Sequence, residues 1–97
     1  MDRMIYLNTL YDIYKGLFTE KQKMYYESYY FENLSLSEIA DNNNVSRNAV
    51  HNQLKIIEDR LIELEDILKL NEKQEKIIDI LSKQTDKKLL EEIKRIM

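Results

Sequence analysis

The sequence lacks most of the residues that support covalent, redox or metal chemistry. Its 97 residues include no cysteine, no proline and no tryptophan, with one glycine and one histidine. Without thiols, neither a disulfide nor a thiolate metal site can form. A single histidine, with no Gly-rich phosphate loop and no Ser–His–Asp set, leaves no recognisable catalytic group. We therefore expect neither an enzyme nor a bound cofactor or metal.

Long apolar runs are also absent. No segment approaches the roughly 20 residues needed to cross a bilayer, and the N-terminus lacks the apolar core of a secretory signal. The sequence therefore predicts a cytoplasmic protein without membrane insertion. The absence of proline, the single glycine and a charged fraction of 34% favour helices throughout. We predict an all-α fold.

The chain has little positive charge to offer a nucleic acid. It carries 15 basic and 18 acidic residues, a net charge of -3. A domain that binds duplex DNA normally shows a basic surface. A nucleic acid would therefore be held through few phosphate contacts, and a second copy or a protein partner would have to add affinity.

Two helices are predicted in the N-terminal third. The first covers residues 2–14 and is followed by Gly16, whose flexible backbone suits a helix C-cap. The second begins after Thr19, which forms a capping box with Gln22, and runs to Phe31. Its aromatic side chains can stack on nucleobases or fill the core. Core packing is the interpretation we favour for Tyr25, Tyr26 and Tyr29.

Residues 34–61 show the pattern of a helix-turn-helix motif. Ser35 and Glu38 form a capping box at the start of the first helix. Residues 41–44 supply an Asn-rich turn, and asparagine tolerates the left-handed backbone conformation that such a turn needs. Ser46 is a suitable N-cap for the second helix. Any short helical hairpin with an Asn-rich turn would share these caps, so the pattern predicts the shape of the motif and does not by itself predict its function.

The second motif helix has an apolar and a polar face. Ala49, Val50 and Leu54 share one side. A reader of the major groove needs hydrogen-bond donors and acceptors on the other side, near the helix N-terminus. The candidate nucleic-acid-binding residues on that face are Ser46, Arg47, Asn48, His51, Asn52 and Lys55. The same fold also docks proteins, which leaves that alternative open.

The second motif helix continues as a heptad pattern to about Leu68. A helix of this length outruns the N-terminal helices, so its far half needs a further cover: the C-terminal segment or a second copy. We predict a homodimer. The residues expected to form its contacts are Ile57, Leu61, Leu64, Ile67 and Leu68. The chain then divides into a helix-turn-helix domain with a long oligomerisation helix, 1–70, and a C-terminal segment, 71–97, with short helices at 75–82 and 86–96.

Several short segments resemble the YlxM family of small bacterial proteins, which is similar in turn to region 4 of bacterial sigma factors. They are LYDIY at 10–14, FTEKQ at 18–22, YY at 29–30, LSLSEIA at 34–40 and VSRNAV at 45–50. The resemblance covers residues 7–70. It implies a helix-turn-helix regulatory protein linked to the signal recognition particle, in which Ser46, Arg47, Asn48, His51 and Asn52 take the reading positions.

The resemblance leaves three hypotheses for function. The first is a regulator of the protein-targeting pathway, with the signal recognition particle RNA or GTPase as partner. The second is an autonomous DNA-binding transcription regulator, and the third is an interaction protein that binds no nucleic acid. Ile56 and Ile57 stand where the family often has a polar, basic pair. This departure favours structured RNA or protein over duplex DNA.

Overall fold

Helices joined by short turns make up the computed structural model, which describes residues 2–84 and 86–97. The helices are α1 (Arg3–Tyr14), α2 (Glu20–Tyr30), α3 (Leu36–Asn43), α4 (Arg47–Leu68), α5 (Leu70–Ser82) and α6 (Lys87–Ile96). A 3₁₀ turn, Lys15–Leu17, joins α1 to α2. Because no strand occurs in these residues, the all-α prediction is confirmed.

Local sequence signals set both ends of the first connection. The Thr19 hydroxyl accepts a hydrogen bond from the Gln22 backbone N–H at 3.1 Å, and the Gln22 side-chain oxygen accepts one from the Thr19 N–H at 3.0 Å. This capping box is as predicted. Gly16 is not the C-cap that we expected, because α1 passes directly into the 3₁₀ turn and no glycine adopts a positive φ.

The apolar core forms where α1, α2 and α3 pack around the long helix α4. Stacked rings of Tyr11 and Tyr26, with centroids 4.1 Å apart, occupy its middle. The remaining buried members are aliphatic or aromatic. They are Leu7, Leu10, Tyr14, Phe18, Tyr25, Ile39, Ala40, Val50, Leu54, Ile57, Leu61 and Leu64.

Helix α4 has the predicted extent, but the helix that covers its apolar side was not expected. Its bounds, Arg47–Leu68, match the heptad. However, α1 packs along it, so Ile57, Leu61 and Leu64 are buried in the core of their own chain. The expectation that these three residues contact a second copy is therefore wrong. Ile67 and Leu68 do stay exposed, at 65% and 40%.

The tyrosines of α2 divide into two groups. Tyr25 and Tyr26 are buried as predicted, and Tyr30 is half-buried with its hydroxyl donating to Glu58 at 2.7 Å. Burial raises the pKa of Tyr30, and the bond to Glu58 raises it further. Tyr29 is exposed, which corrects the expectation that it fills the core.

A buried carboxylate joins the end of α4 to α5. Glu65 accepts the Tyr14 hydroxyl at 2.7 Å and the backbone N–H groups of Asn71 and Glu72 at 3.1 Å each. The Tyr14 oxygen in turn accepts the Leu70 N–H at 3.2 Å. These contacts satisfy the first N–H groups of α5, which a helix cannot satisfy itself. We call this set the Glu65 latch.

Residues 70–84 and 86–97 form a C-terminal arm of α5 and α6. Helix α5 begins at Leu70 rather than near residue 75, because Lys69 alone separates it from α4 in a left-handed conformation, with φ of 54°. No apolar side chain of the arm is buried. Throughout the part of the chain that the structure describes, no helix has both the length and the apolar character of a membrane span.

Candidate nucleic-acid interface

The turn between α3 and α4 is shorter than the sequence suggested. Helix α3 continues through Asn43, so three of the four residues expected in the turn are helical. Asn44 alone takes the left-handed conformation, with φ of 55° and ψ of 43°. The Val45 N–H then donates to the Ala40 carbonyl at 3.1 Å. This is a Schellman-type helix end, in which asparagine does what glycine usually does.

Caps hold the start of both motif helices. Ser35 and Glu38 form the predicted capping box, with hydrogen bonds of 3.0 and 3.1 Å. The Ser46 hydroxyl accepts the Ala49 N–H at 3.1 Å. Val50 and Leu54 point into the core, so the opposite side of α4 faces solvent. The orientation of α4 is therefore set by its buried side.

All six candidate nucleic-acid-binding residues are exposed on one face of α4. They span nine residue steps, roughly 14 Å along the helix, which suits a single groove of a duplex or one turn of a folded RNA. We call this set the α4 face. Its members are Ser46, Arg47, Asn48, His51, Asn52 and Lys55. The Ser46 hydroxyl accepts the Ala49 N–H as the N-cap, and its O–H can still donate to a ligand.

The acidic residues near the α4 face are mostly engaged. Glu58 accepts the Tyr30 hydroxyl and lies 3.4 Å from the Arg3 guanidinium. Asp59 lies 3.4 Å from Lys55, and both side chains are more than half exposed. Such a surface ion pair contributes little, about 0–1 kcal/mol, so a phosphate can displace Asp59. Across the described residues, Arg47 has no ion-pair partner within 4 Å.

A groove beside the α4 face was not predicted from the sequence. It has a volume of about 530 Å³ and lies between the first turns of α2 and α4. Asn52 belongs to both the groove and the α4 face. Lys21, Gln22 and Gln53 also line it. The capping box at Thr19 places Lys21 and Gln22 in the first turn of α2, but only the packing of α2 on α4 brings them beside Asn52.

The side chains of the α4 face can form hydrogen bonds and ion pairs. Within the ranges that the structure describes, no group of three or more His, Cys, Asp or Glu side chains could hold a metal ion. The groups on the α4 face are one hydroxyl, two amides, one guanidinium, one ammonium and one imidazole. This composition can donate and accept hydrogen bonds and can pair with phosphate.

The fold and the α4 face define a helix-turn-helix protein. Comparison with known sequences places the chain in a family. All residues, 1–97, match the UPF0122 family, described as "Putative helix-turn-helix protein, YlxM / p13 like", and the chain belongs to that family. The resemblance noted from the sequence is thereby confirmed.

Individual relatives show how far the similarity extends. A UPF0122 protein of Ureaplasma urealyticum is 41% identical over 91 residues, which cover 94% of this chain and 92% of the relative. A UPF0122 protein of Mycoplasma capricolum is 42% identical over 83 residues, or 86% of this chain and 74% of the relative. One of Shouchella clausii is 45% identical over 75 residues, or 77% and 69% respectively.

Proposed function

We propose that this protein is a regulatory helix-turn-helix protein that binds nucleic acid through the α4 face and acts in the signal recognition particle pathway. One observation carries the binding proposal: polar and basic side chains are gathered on the solvent side of α4, at its capped N-terminal end. The buried side of the same helix keeps that face turned outward.

Each side chain of the α4 face has a role that its chemistry suits. Arg47 lies in the first turn, where it can contact a guanine edge or a phosphate. Asn48 and Asn52 can pair with adenine or with backbone oxygens, and Lys55 can hold a phosphate. Lys21, across the groove, adds a third cation, near Asn52. The interface offers few cations, so binding should be modest at physiological salt.

The cellular setting comes from the family resemblance. It implies the signal recognition particle, so its RNA is the first ligand to test and its GTPase is the protein partner to test beside it. The net charge of -3 supports a compact structured RNA over a long DNA duplex, since duplex binding depends on many phosphate contacts. A homodimer would double the few contacts that one copy provides.

The test is a titration of the full chain against signal recognition particle RNA and against random duplex DNA at two salt concentrations. Arg47→Ala combined with Lys55→Ala should weaken binding and make the logarithmic salt dependence shallower, by about one to two phosphate contacts. Lys76→Ala combined with Lys83→Ala is the matched control. It removes two exposed lysines, each paired to a carboxylate four residues away, from the arm.

The alternatives are separate outcomes of the same titration. Preference for duplex DNA would indicate an autonomous transcription regulator. If the parent binds neither RNA nor DNA, an interaction protein becomes the better description. If the Arg47 and Lys55 double variant binds as the parent does, the α4 face is not the nucleic-acid site.

A further inference from the structure

Tyr29 is the exception among the tyrosines of α2. Its neighbours Tyr25 and Tyr26 are in the core, whereas 37% of Tyr29 is exposed. Its ring meets that of Tyr30 edge to face, with centroids 5.0 Å apart and an interplanar angle of 87°. An aromatic ring that packs on a neighbour and is still partly exposed offers surface on which a ligand can stack. Because Tyr29 lies beside the α4 face, the ligand to consider is a nucleic acid.

A small depression connects Tyr29 with the α4 face. It has a volume of about 160 Å³ and opens between α2 and α4. Two of its lining residues, His51 and Lys55, belong to the α4 face. Other lining residues are Tyr29, Tyr30, Leu36 and Glu58. Drug-sized ligands occupy pockets of roughly 300 Å³ or more, so this space suits one ring system and not a whole nucleotide.

Hydrogen bonding and an ion pair hold two lining residues of the depression in place. The Tyr30 hydroxyl donates to one oxygen of Glu58 at 2.7 Å, and the Arg3 guanidinium lies 3.4 Å from the other. The Glu58 carboxylate in the lining disfavours a phosphate inside the depression, and Arg3 offsets only part of its charge. A flat, neutral ring with polar edges fits better. Lys55 lies at the outer side, where 64% of its side chain is exposed.

We propose that this depression takes one unpaired nucleobase, stacked on Tyr29, while Lys55 contacts the adjoining phosphate. The proposal rests on the proposed function and specifies its ligand as a nucleic acid with a loop or bulge. In a continuous duplex every base is paired and stacked, so none can enter. Single-stranded bases stack on aromatic side chains with little dependence on sequence.

The experiment compares three labelled probes by fluorescence anisotropy: an RNA hairpin with an adenosine loop, a fully paired RNA of equal length, and a DNA hairpin of the same sequence. The variants are Tyr29→Ala, Tyr29→Phe and Arg47→Ala. Phe31→Ala is the control, because Phe31 is also an exposed aromatic at this end of α2 and lies outside the depression. Thermal melts verify that each variant folds.

The parent should bind the RNA hairpin more tightly than the paired RNA. Tyr29→Ala should weaken hairpin binding by about fivefold or more, the loss expected for one stacked base, and leave paired RNA unchanged. Tyr29→Phe and Phe31→Ala should retain hairpin binding, whereas Arg47→Ala should weaken both RNA probes. Equal affinity for the DNA hairpin also supports the proposal, because the base ring is common to both sugars.

Two results would overturn the proposal, and they differ in what else they remove. If the parent binds RNA but Tyr29→Ala binds the hairpin as the parent does, the nucleobase site is wrong and nucleic-acid binding through the α4 face still stands. If the parent binds none of the three probes, the nucleobase site and the proposed function both fail.

Discussion

The helix-turn-helix body, α1 to α4, and the C-terminal arm differ in how they are stabilised. Among the residues that the structure describes, every buried apolar side chain belongs to the body, the last being Leu64. In the arm, the buried residue is the polar Asn71, and α6 has none. The body is therefore held by apolar packing, which is the dominant favourable contribution to folding. The arm depends on the Glu65 latch and on helix contacts that remain open to water.

This difference shows that a strong amphipathic pattern does not by itself bury a helix. The sequence of α6 places Leu89, Leu90, Ile93 and Ile96 on one side, yet Ile96 is 86% exposed. The same kind of pattern in α4 is covered because α1 lies along it. An apolar stripe thus indicates which side will be covered, whereas the tertiary structure determines what covers it.

The largest expected contrast comes from removing one leucine in each region. Leu61→Ala should lower the free energy of unfolding by about 2–5 kcal/mol, because it leaves a cavity in the core. Leu89→Ala, at a side chain 47% exposed, should change it by about 0.5 kcal/mol or less. Urea unfolding followed by circular dichroism measures both. Similar losses would mean that arm and body unfold as one packed unit.

Alkaline pH should also act on the body. All seven tyrosines precede residue 31. Burial raises the pKa of Tyr11, Tyr26 and Tyr30 above the ordinary value of 10.0. Above pH 10 the unfolded chain releases tyrosine protons that the folded chain retains. The contribution of these tyrosines to the free energy of unfolding should therefore be fully present below pH 10 and fall as the pH rises. Urea unfolding at several pH values measures this decline.

Tyr30→Phe provides the check on that pH dependence. It removes one of the hydroxyls whose pKa is raised, so the decline of stability with pH should become less steep than in the parent. The variant also loses the hydrogen bond to Glu58, which is one cause of the raised pKa of Tyr30, so it should be less stable than the parent below pH 10. A slope equal to that of the parent would show that Tyr30 is not among the groups responsible.

Breaking the Glu65 latch should release the arm while the body stays folded. Glu65→Ala leaves the N–H groups of Asn71 and Glu72 without their carboxylate acceptor, a loss of about 1–3 kcal/mol. Hydrogen exchange should accelerate in α5 and remain slow in α2. Glu63→Ala is the control, since its side chain is 58% exposed on the same helix. Unchanged exchange in α5 would show that the latch does not hold the arm.

The homodimer stays a prediction, and the exposed residues of the arm are now its expected contact surface. A second copy is expected to cover the apolar side of the arm, because those side chains have no cover in one chain. Ile77→Lys combined with Ile80→Lys should give monomers with little loss of monomer stability, as both positions are about half exposed. Ser82→Lys combined with Gln84→Lys adds the same charge at exposed polar positions. A parent that sediments as a monomer at tens of micromolar would contradict the dimer.

Local features could be predicted because they depend on a few neighbouring residues. The capping boxes at Thr19 and Ser35, the Ser46 cap and the 22-residue helix α4 follow from short-range hydrogen bonding and apolar periodicity. For the same reason the outward position of the α4 face could be inferred, since burying Val50 and Leu54 leaves the opposite side of the helix in solvent.

Contacts between residues distant in sequence required the tertiary structure. Tyr14 and Glu65 are 51 positions apart, and no local pattern pairs them. The cover of Leu61 and Leu64 by α1, the Lys21 groove and the exposure of Tyr29 likewise depend on how α1 and α2 pack on α4. The sequence by itself determined the helices and the apolar side of each, because those properties arise within a few residues. The tertiary structure alone decided which surfaces remain for a ligand, because exposure is what remains after every helix has packed.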